Sequence, residues 1–197
     1  MVGLETDVLL MSPPPYPMET DRLTIRPFTV DDLDALHGIQ SKREVTTYLY
    51  WDPRSRDEVV EVLASRTDRP FEEVYRKGLA LAVVVRDTNT LIGDVSLTVL
   101  SREHAQGEIG FVLDPDQQGR GYGREAATVL LRLGFEDLEL HRLIGRCDPR
   151  NVPSWRLLER LGMRREAHFR ESEIFRGEWG DEYVYALLAT EWRSAPG

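Results

Sequence analysis

The residues best suited to chemistry lie between Leu113 and Glu125, in the run Leu-Asp-Pro-Asp-Gln-Gln-Gly-Arg-Gly-Tyr-Gly-Arg-Glu. Glycines alternate there at 119, 121 and 123. An apolar run, Ile109 to Leu113, precedes them, and a helical pattern follows over Ala126 to Phe135, with Ala126, Val129, Leu130 and Leu133 on one face. Glycine lets successive backbone amides turn toward one anion, and the N-terminus of the following helix adds partial positive charge. The stretch is therefore a candidate phosphate cradle. Two common phosphate loops do not fit, since no Lys-Ser or Lys-Thr follows the glycines and the last glycine of a dinucleotide fingerprint would fall on Arg124. A helix entered through a plain glycine-rich turn is the alternative reading, and the surrounding elements decide between the two.

Those elements follow from periodicity and turn chemistry. Met1 to Met18 holds Pro13, Pro14, Pro15 and Pro17 and reads as an extended arm outside a single domain spanning 19–194. Leu23 to Pro27 reads as a strand. Thr29 and Asp32 have capping-box spacing for a helix to Gln40, and Ser55 and Glu58 repeat it for a helix to Arg66, with a further turn expected in Pro70 to Lys77. Leu79 to Arg86 and Leu91 to Leu100 form an antiparallel hairpin around Asp87-Thr88-Asn89-Thr90, and Glu108 to Leu113 is the next strand. After the glycine loop and its helix, Arg142 to Cys147 returns as a strand, which implies parallel pairing. A helix over Pro153 to Leu161, stopped by Gly162, precedes a final hairpin of Arg165 to Phe175 and Trp179 to Leu188. The order predicts an α/β fold (α+β in some schemes): a mixed, mostly antiparallel central sheet of about seven strands with helices on both faces.

Composition narrows the function classes. At 197 residues the chain can bury one sizeable core. The formal charge of -9 opposes a nucleic-acid binder, which needs a basic face, and suits a cationic or amine substrate. The first residues carry Glu5 and Asp7, the first basic residue is Arg22, and no apolar run approaches the roughly 20 residues of a membrane span, so a cytoplasmic protein with no membrane partner is expected. The one cysteine, Cys147, reads as core rather than nucleophile. His37, His104, His141 and His168 are scattered without ligand spacing, and no metal site is expected.

The loop Gln118-x-x-Gly121-x-Gly123, together with Gly107-Glu108-Ile109-Gly110-Phe111, Asn151-Val152-Pro153-Ser154 and Leu161-Gly162-Met163 in this order, resembles the GNAT superfamily of acyl-CoA N-acyltransferases. The resemblance runs from Leu23 to the C-terminus. Thr20-Asp21-Arg22-Leu23 and Trp179-x-x-Glu182-x-x-x-Tyr185 look most like its ribosomal-protein N-terminal alanine acetyltransferases of RimJ and RimL type. It implies acetyl-CoA as co-substrate and an amine acceptor. The amides of Gln118, Gly119, Arg120, Gly121, Tyr122, Gly123 and Arg124 would bind its pyrophosphate, helped by the Arg120 and Arg124 side chains. The backbone of Phe111, Val112 and Leu113 would pair with the pantetheine amides, provided this strand splays from Arg142 to Cys147. Arg156 and Arg160 are weaker candidates for the adenosine 3′-phosphate.

The same resemblance makes Glu108 the general base, Ser154 the donor to the thiol sulfur and Asn151 a partner of the pantetheine arm. Their structural alternatives are a solvated edge carboxylate for Glu108, helix capping for Ser154 and a turn or cap for Asn151; His141 is the rival base. An α-amino group has a pKa of about 7.7 to 8.0 and a lysine about 10.4, so deprotonation near pH 7 costs roughly 1 kcal/mol against 4 to 5. A modest base therefore suits a protein N-terminus, the expected acceptor. Small-molecule amines, a larger acyl donor such as succinyl-CoA, and a non-catalytic acyl-CoA binding module are the competing readings. Tyr48, Tyr50, Trp51, Glu173 and Trp179 are candidates for the acceptor cleft. Many GNAT relatives form homodimers, and no residue pattern here decides that point.

Overall fold

The apolar runs pair into one eight-stranded sheet in the computed structural model, which describes residues 16–67 and 78–194. The strands are β1 (Met18–Glu19), β2 (Leu23–Arg26), β3 (Leu79–Val85), β4 (Thr90–Ser101), β5 (Gln106–Leu113), β6 (Arg142–Cys147), β7 (Arg164–Phe175) and β8 (Glu178–Leu188), in spatial order β1-β2-β3-β4-β5-β6-β8-β7. Every neighbouring pair is antiparallel except β5 and β6, which are parallel, as the intervening helix demands.

The sheet has one strand more than expected. Met18 and Glu19 pair with Ile25 and Thr24, because the Thr20 hydroxyl accepts the Leu23 N–H at 2.9 Å and closes the turn between them. Pairing thus begins at Met18, within the segment read as an arm, and Tyr16 packs against the main core. Residues 1–15 and the turn expected in Pro70 to Lys77 lie outside the described residues.

Helices cover both faces. They are α1 (Leu33–Gln40), α2 (Arg43–Thr46), α3 (Arg56–Thr67), α4 (Tyr122–Arg132), α5 (Val152–Arg160) and α6 (Ala189–Ser194). The pleat of β3 shows the two layers: Ala82 and Val84 pack with Leu36, Ile39, Val59 and Leu63 of α1 and α3, while Leu81 and Val83 join Ala126 and Leu130 of α4 and Leu158 of α5. Both capping boxes form; the Ser55 N–H donates to Glu58 at 2.7 Å and the Thr29 N–H to Asp32 at 2.8 Å. Periodicity did not indicate α2 or α6. None of the described helices is long and apolar enough to cross a membrane.

The glycine loop departs most from its expected boundaries. α4 starts at Tyr122 rather than Ala126 and passes into a π-helical turn at Leu133–Asp137. Glycine is a poor helix former, which argues for a later start. At Gly123, however, a Cβ would come within 3.0 Å of Leu113 Cδ1 and 3.2 Å of Leu157 Cδ2, so close packing of α4 on β5 and α5 places a glycine inside the first turn. Ala126, Val129, Leu130 and Leu133 are all buried, as their spacing requires.

Candidate active site

β5 and β6 pair only through Gln106, Gly107 and Glu108, opposite Arg142, Leu143 and Ile144. Beyond that point β5 stays on β4 as far as Leu113, while Gly145 to Cys147 of β6 pair with β8. The two strands therefore part after Glu108. On the side toward β6, β5 from Ile109 to Leu113 has no strand partner among the described residues; Gln118 Nε2 donates to the Leu113 carbonyl at 3.4 Å, and the remaining outward N–H and C=O groups are open to water or a ligand. On the other side of the gap Leu158 of α5 lies against Gly145, where a Cβ would approach it to 2.6 Å.

A cavity of about 520 Å³ lies between the end of β5, the glycine loop, α5 and the segment around α2, within the size range of small-molecule sites. Its wall includes Phe111, Val112 and Leu113 of β5, Gln118, Gly119, Gly121, Tyr122, Gly123 and Arg124 of the loop and α4, and Asn151, Ser154, Arg156 and Arg160 of α5. Arg120 is the one loop candidate absent from the wall. Its carbonyl instead accepts the Arg22 guanidinium at 2.9 Å.

Gly119 and Gly121 have φ of +76° and +83°, a left-handed conformation that costs other residues about 1–2 kcal/mol. Gly121 is the N-cap of α4, so the unpaired amides of its first turn belong to the same loop.

Two ionic clamps hold this cradle. Arg22 donates through Nε to Glu125 at 2.8 Å, Thr20 donates to the other Glu125 oxygen at 2.6 Å, and the Arg22 guanidinium lies 4.7 Å from the centre of the Tyr122 ring. Burial alone would raise the Glu125 pKa, but the bonds from Thr20 and Arg22 hold it below the ordinary carboxylate value. Lys42 bridges Asp114 at 2.6 Å and Asp116 at 2.7 Å on the approach to the glycines.

At the start of α5, the Asn151 side-chain oxygen accepts the Ser154 N–H at 3.3 Å. Asn151 thus caps the helix and lines the cavity at once. The Ser154 hydroxyl has a different neighbour, Cys147. Burial pushes the Cys147 thiol up to about 11, with the Ser154 hydroxyl acting in the opposite direction. A protonated, half-buried thiol packed against the core is a poor nucleophile, consistent with the reading of Cys147 as a core residue.

Glu108 stands where the strands part, half-buried and outside the cavity wall. Its Oε2 lies 3.6 Å from Arg146 Nε, and Arg146 Nη1 lies 3.7 Å from Glu182 Oε2. Burial raises the Glu108 pKa above the ordinary carboxylate value, and Arg146 opposes the rise. His141, the rival base, is exposed just before β6, at the end away from the split.

The acceptor-side candidates are only partly brought together. Tyr48 lines the cavity. The Tyr50 hydroxyl donates to Glu173 and its ring meets Phe175 edge-on at 5.5 Å, while Arg176 reaches the carbonyls of Thr46 and Trp51, so the segment after α2 is tied to the β7–β8 hairpin. The Trp51 ring faces Arg54, and Trp179 is 64% exposed.

Several residues at the site escaped the sequence reading. Arg22, Glu125 and Glu182 stood inside quoted motifs without an assigned role. Arg146, Glu44, Val45 and Leu49 carried no signal, because only the fold brings α2 and the exposed face of β6 to the split.

Known proteins share this fold. The family described as Acetyltransferase (GNAT) domain matches residues 22–164. The uncharacterized N-acetyltransferase YnaD of Bacillus subtilis is 35% identical over 175 residues, covering 88% of this chain and 97% of that protein. The spermidine N(1)-acetyltransferase of Vibrio cholerae is 27% identical, covering 87% and 95%, and the ribosomal protein uS5-alanine N-acetyltransferase of Escherichia coli is 28% identical, covering 91% and 94%. The crystal structure of a GNAT-family acetyltransferase from Bacillus anthracis superposes with a TM-score of 0.80 at 32% identity, covering 88% of this chain and 99% of that one. With an eight-stranded mixed sheet that splits beside a glycine loop, and with these matches, the chain belongs to the GNAT family and is an acetyl-CoA-dependent N-acetyltransferase.

Proposed function

We propose that this enzyme acetylates the α-amino group at the start of a protein chain, by direct attack in a ternary complex with acetyl-CoA. The observation that carries the reading is the parting of β5 and β6 after Glu108, which leaves a free strand edge on the cavity side and a half-buried carboxylate at the apex. The cradle fits a diphosphate, since Gly119 and Gly121 line the wall in a left-handed conformation that lets backbone amides turn toward one anion, and Arg156 and Arg160 on the wall suit a further phosphate.

When bound, acetyl-CoA supplies the acyl group as a thioester. The amides from Gln118 to Arg124 hold its diphosphate, the free edge of β5 pairs with the pantetheine amides, and Asn151 offers its side-chain amide to the same arm. The amine nitrogen forms the new C–N bond as the C–S bond breaks. Glu108 takes the amine proton, directly or through one water, and the Ser154 hydroxyl donates to the departing sulfur. No acyl group passes through Cys147, whose thiol is held protonated. An α-amine matches a carboxylate base whose pKa is raised rather than lowered, because only about 1 kcal/mol of deprotonation is needed near pH 7.

Relatives named for a ribosomal-protein alanine and for spermidine lie at similar distance, so the acceptor is decided by assay. Thiol release from acetyl-CoA should be measured with alanine-start and serine-start peptides, spermidine and an aminoglycoside, with calorimetry of CoA binding alongside. Turnover with a peptide is expected. Turnover with spermidine or the aminoglycoside alone would overturn the acceptor assignment, and CoA binding without turnover of any amine would favour a binding module.

A further inference from the structure

The guanidinium of Arg146 lies between two carboxylates, 3.6 Å from Glu108 on β5 and 3.7 Å from Glu182 on β8. Both separations exceed a hydrogen bond, so its N–H donors are committed to neither. We propose that Arg146 is a positioning residue shared between Glu108 and Glu182, and that Glu182 governs how much of its charge the base receives. This rests on the reading of Glu108 as base.

Two carboxylates around one guanidinium leave the trio with a net negative charge, so the cation cannot fully satisfy both. Glu182 is the more enclosed, its side chain 16% exposed against 31% for Glu108. The other titratable neighbours are Glu173 of β7 and Glu108 itself, whose negative charges both act on Glu182, and Tyr50 and Cys147, on which Glu182 acts in turn; the β4 partner of Glu108 is the uncharged Thr98. Burial raises the pKa of both Glu108 and Glu182, and Arg146 works against the rise in each. A carboxylate that draws the guanidinium away thus keeps the base more basic, and deleting it lets Arg146 close on Glu108.

The two partners must then have opposite effects. Titration of the Glu108 side-chain carboxyl by NMR, in the full-length protein, should place its midpoint about half a pH unit higher in Arg146→Gln, the scale of one unit charge near 4 Å in well-screened surroundings. Glu182→Gln should lower the midpoint, and this drop should shrink in the double variant, because the larger part of it passes through Arg146. Arg146→Lys should restore most of the wild-type midpoint. The rising limb of kcat against pH should move with the NMR midpoint in each variant. Shifts of the same sign in Arg146→Gln and Glu182→Gln, or no shift in either, would overturn the proposal. Opposite NMR shifts with an unmoved kcat limb would leave the charge sharing intact and remove Glu108 as the base.

Discussion

The two ends of the split between β5 and β6 are built from different materials. On the cavity side the proposed contacts are mostly backbone: amides of the glycine loop, the first turn of α4 and the unpaired edge of β5, fixed by left-handed Gly119 and Gly121 and by clamps from Arg22 and Lys42, and joined by Asn151, Ser154, Arg156 and Arg160 of α5. On the other side they are side chains from four separate segments: Glu108 of β5, Arg146 of β6, Glu182 of β8, and Tyr50 tied to Glu173 of the hairpin. The first end depends chiefly on a backbone conformation that glycine adopts without cost. The second end is a balance of charges on partly exposed groups, which suits one enzyme family serving many amines.

The largest effect should come from breaking that conformation. In Gly121→Val the new side chain must hold φ near +83° with its Cβ 3.3 Å from Arg22 Nη2, and calorimetry should show CoA affinity down about 30-fold or more, roughly 2 kcal/mol. Normal affinity would show that the loop does not hold the cofactor.

Glu108→Gln tests the opposite end. CoA affinity should be retained, while turnover of an alanine-start peptide falls about tenfold at pH 6.5 and approaches wild type at high pH, where the amine is already neutral. The raised pKa of Glu108 sets the acid side: as pH falls through that value the wild type loses its base form and approaches the variant, so the gap is widest between the Glu108 and amine pKa values. Equal turnover across pH in the two proteins would refute the base assignment.

Smaller effects should separate the clamps from the chemistry. Arg22→Ala removes the guanidinium bonds to Glu125 and to the Arg120 carbonyl, leaving the Arg22 N–H bond to Glu125, and should raise KM for acetyl-CoA about three- to fivefold with kcat unchanged; a fall in kcat alone would contradict a role confined to the cradle. Ser154→Ala should lower kcat only about threefold, because a thiol with a pKa of about 8.5 leaves without a strong acid. The cap of α5 should survive, since it is Asn151 that accepts the Ser154 N–H. A matching loss of thermal stability would return Ser154 to a structural role.

The same contrast explains what could be read from the sequence. Alternating glycines state a backbone geometry outright, and strand periodicity states the parallel crossover, so the loop and β5 parts of the cavity wall were legible, whereas Glu44, Val45 and Leu49 were not. The exceptions had packing or capping causes. Gly123 entered α4 because a Cβ would press on Leu113 and Leu157, and Thr20 closed the turn that added β1. The acceptor side was legible only as isolated residues. Arg146 alternates along β6 like any exposed strand residue, and nothing local joins it to Glu182, which becomes its neighbour only because β8 inserts between β6 and β7. Long-range charge sharing of this kind leaves no periodic trace.

The most direct test is a titration of the full-length protein with CoA, followed by amide NMR. The account predicts the largest shifts at the amides of Phe111 to Leu113 and Gly119 to Arg124, with the amides of Glu173 and Trp179 left in place until an acceptor peptide is added. Large shifts confined to the β7–β8 hairpin, with an unmoved glycine loop, would contradict it.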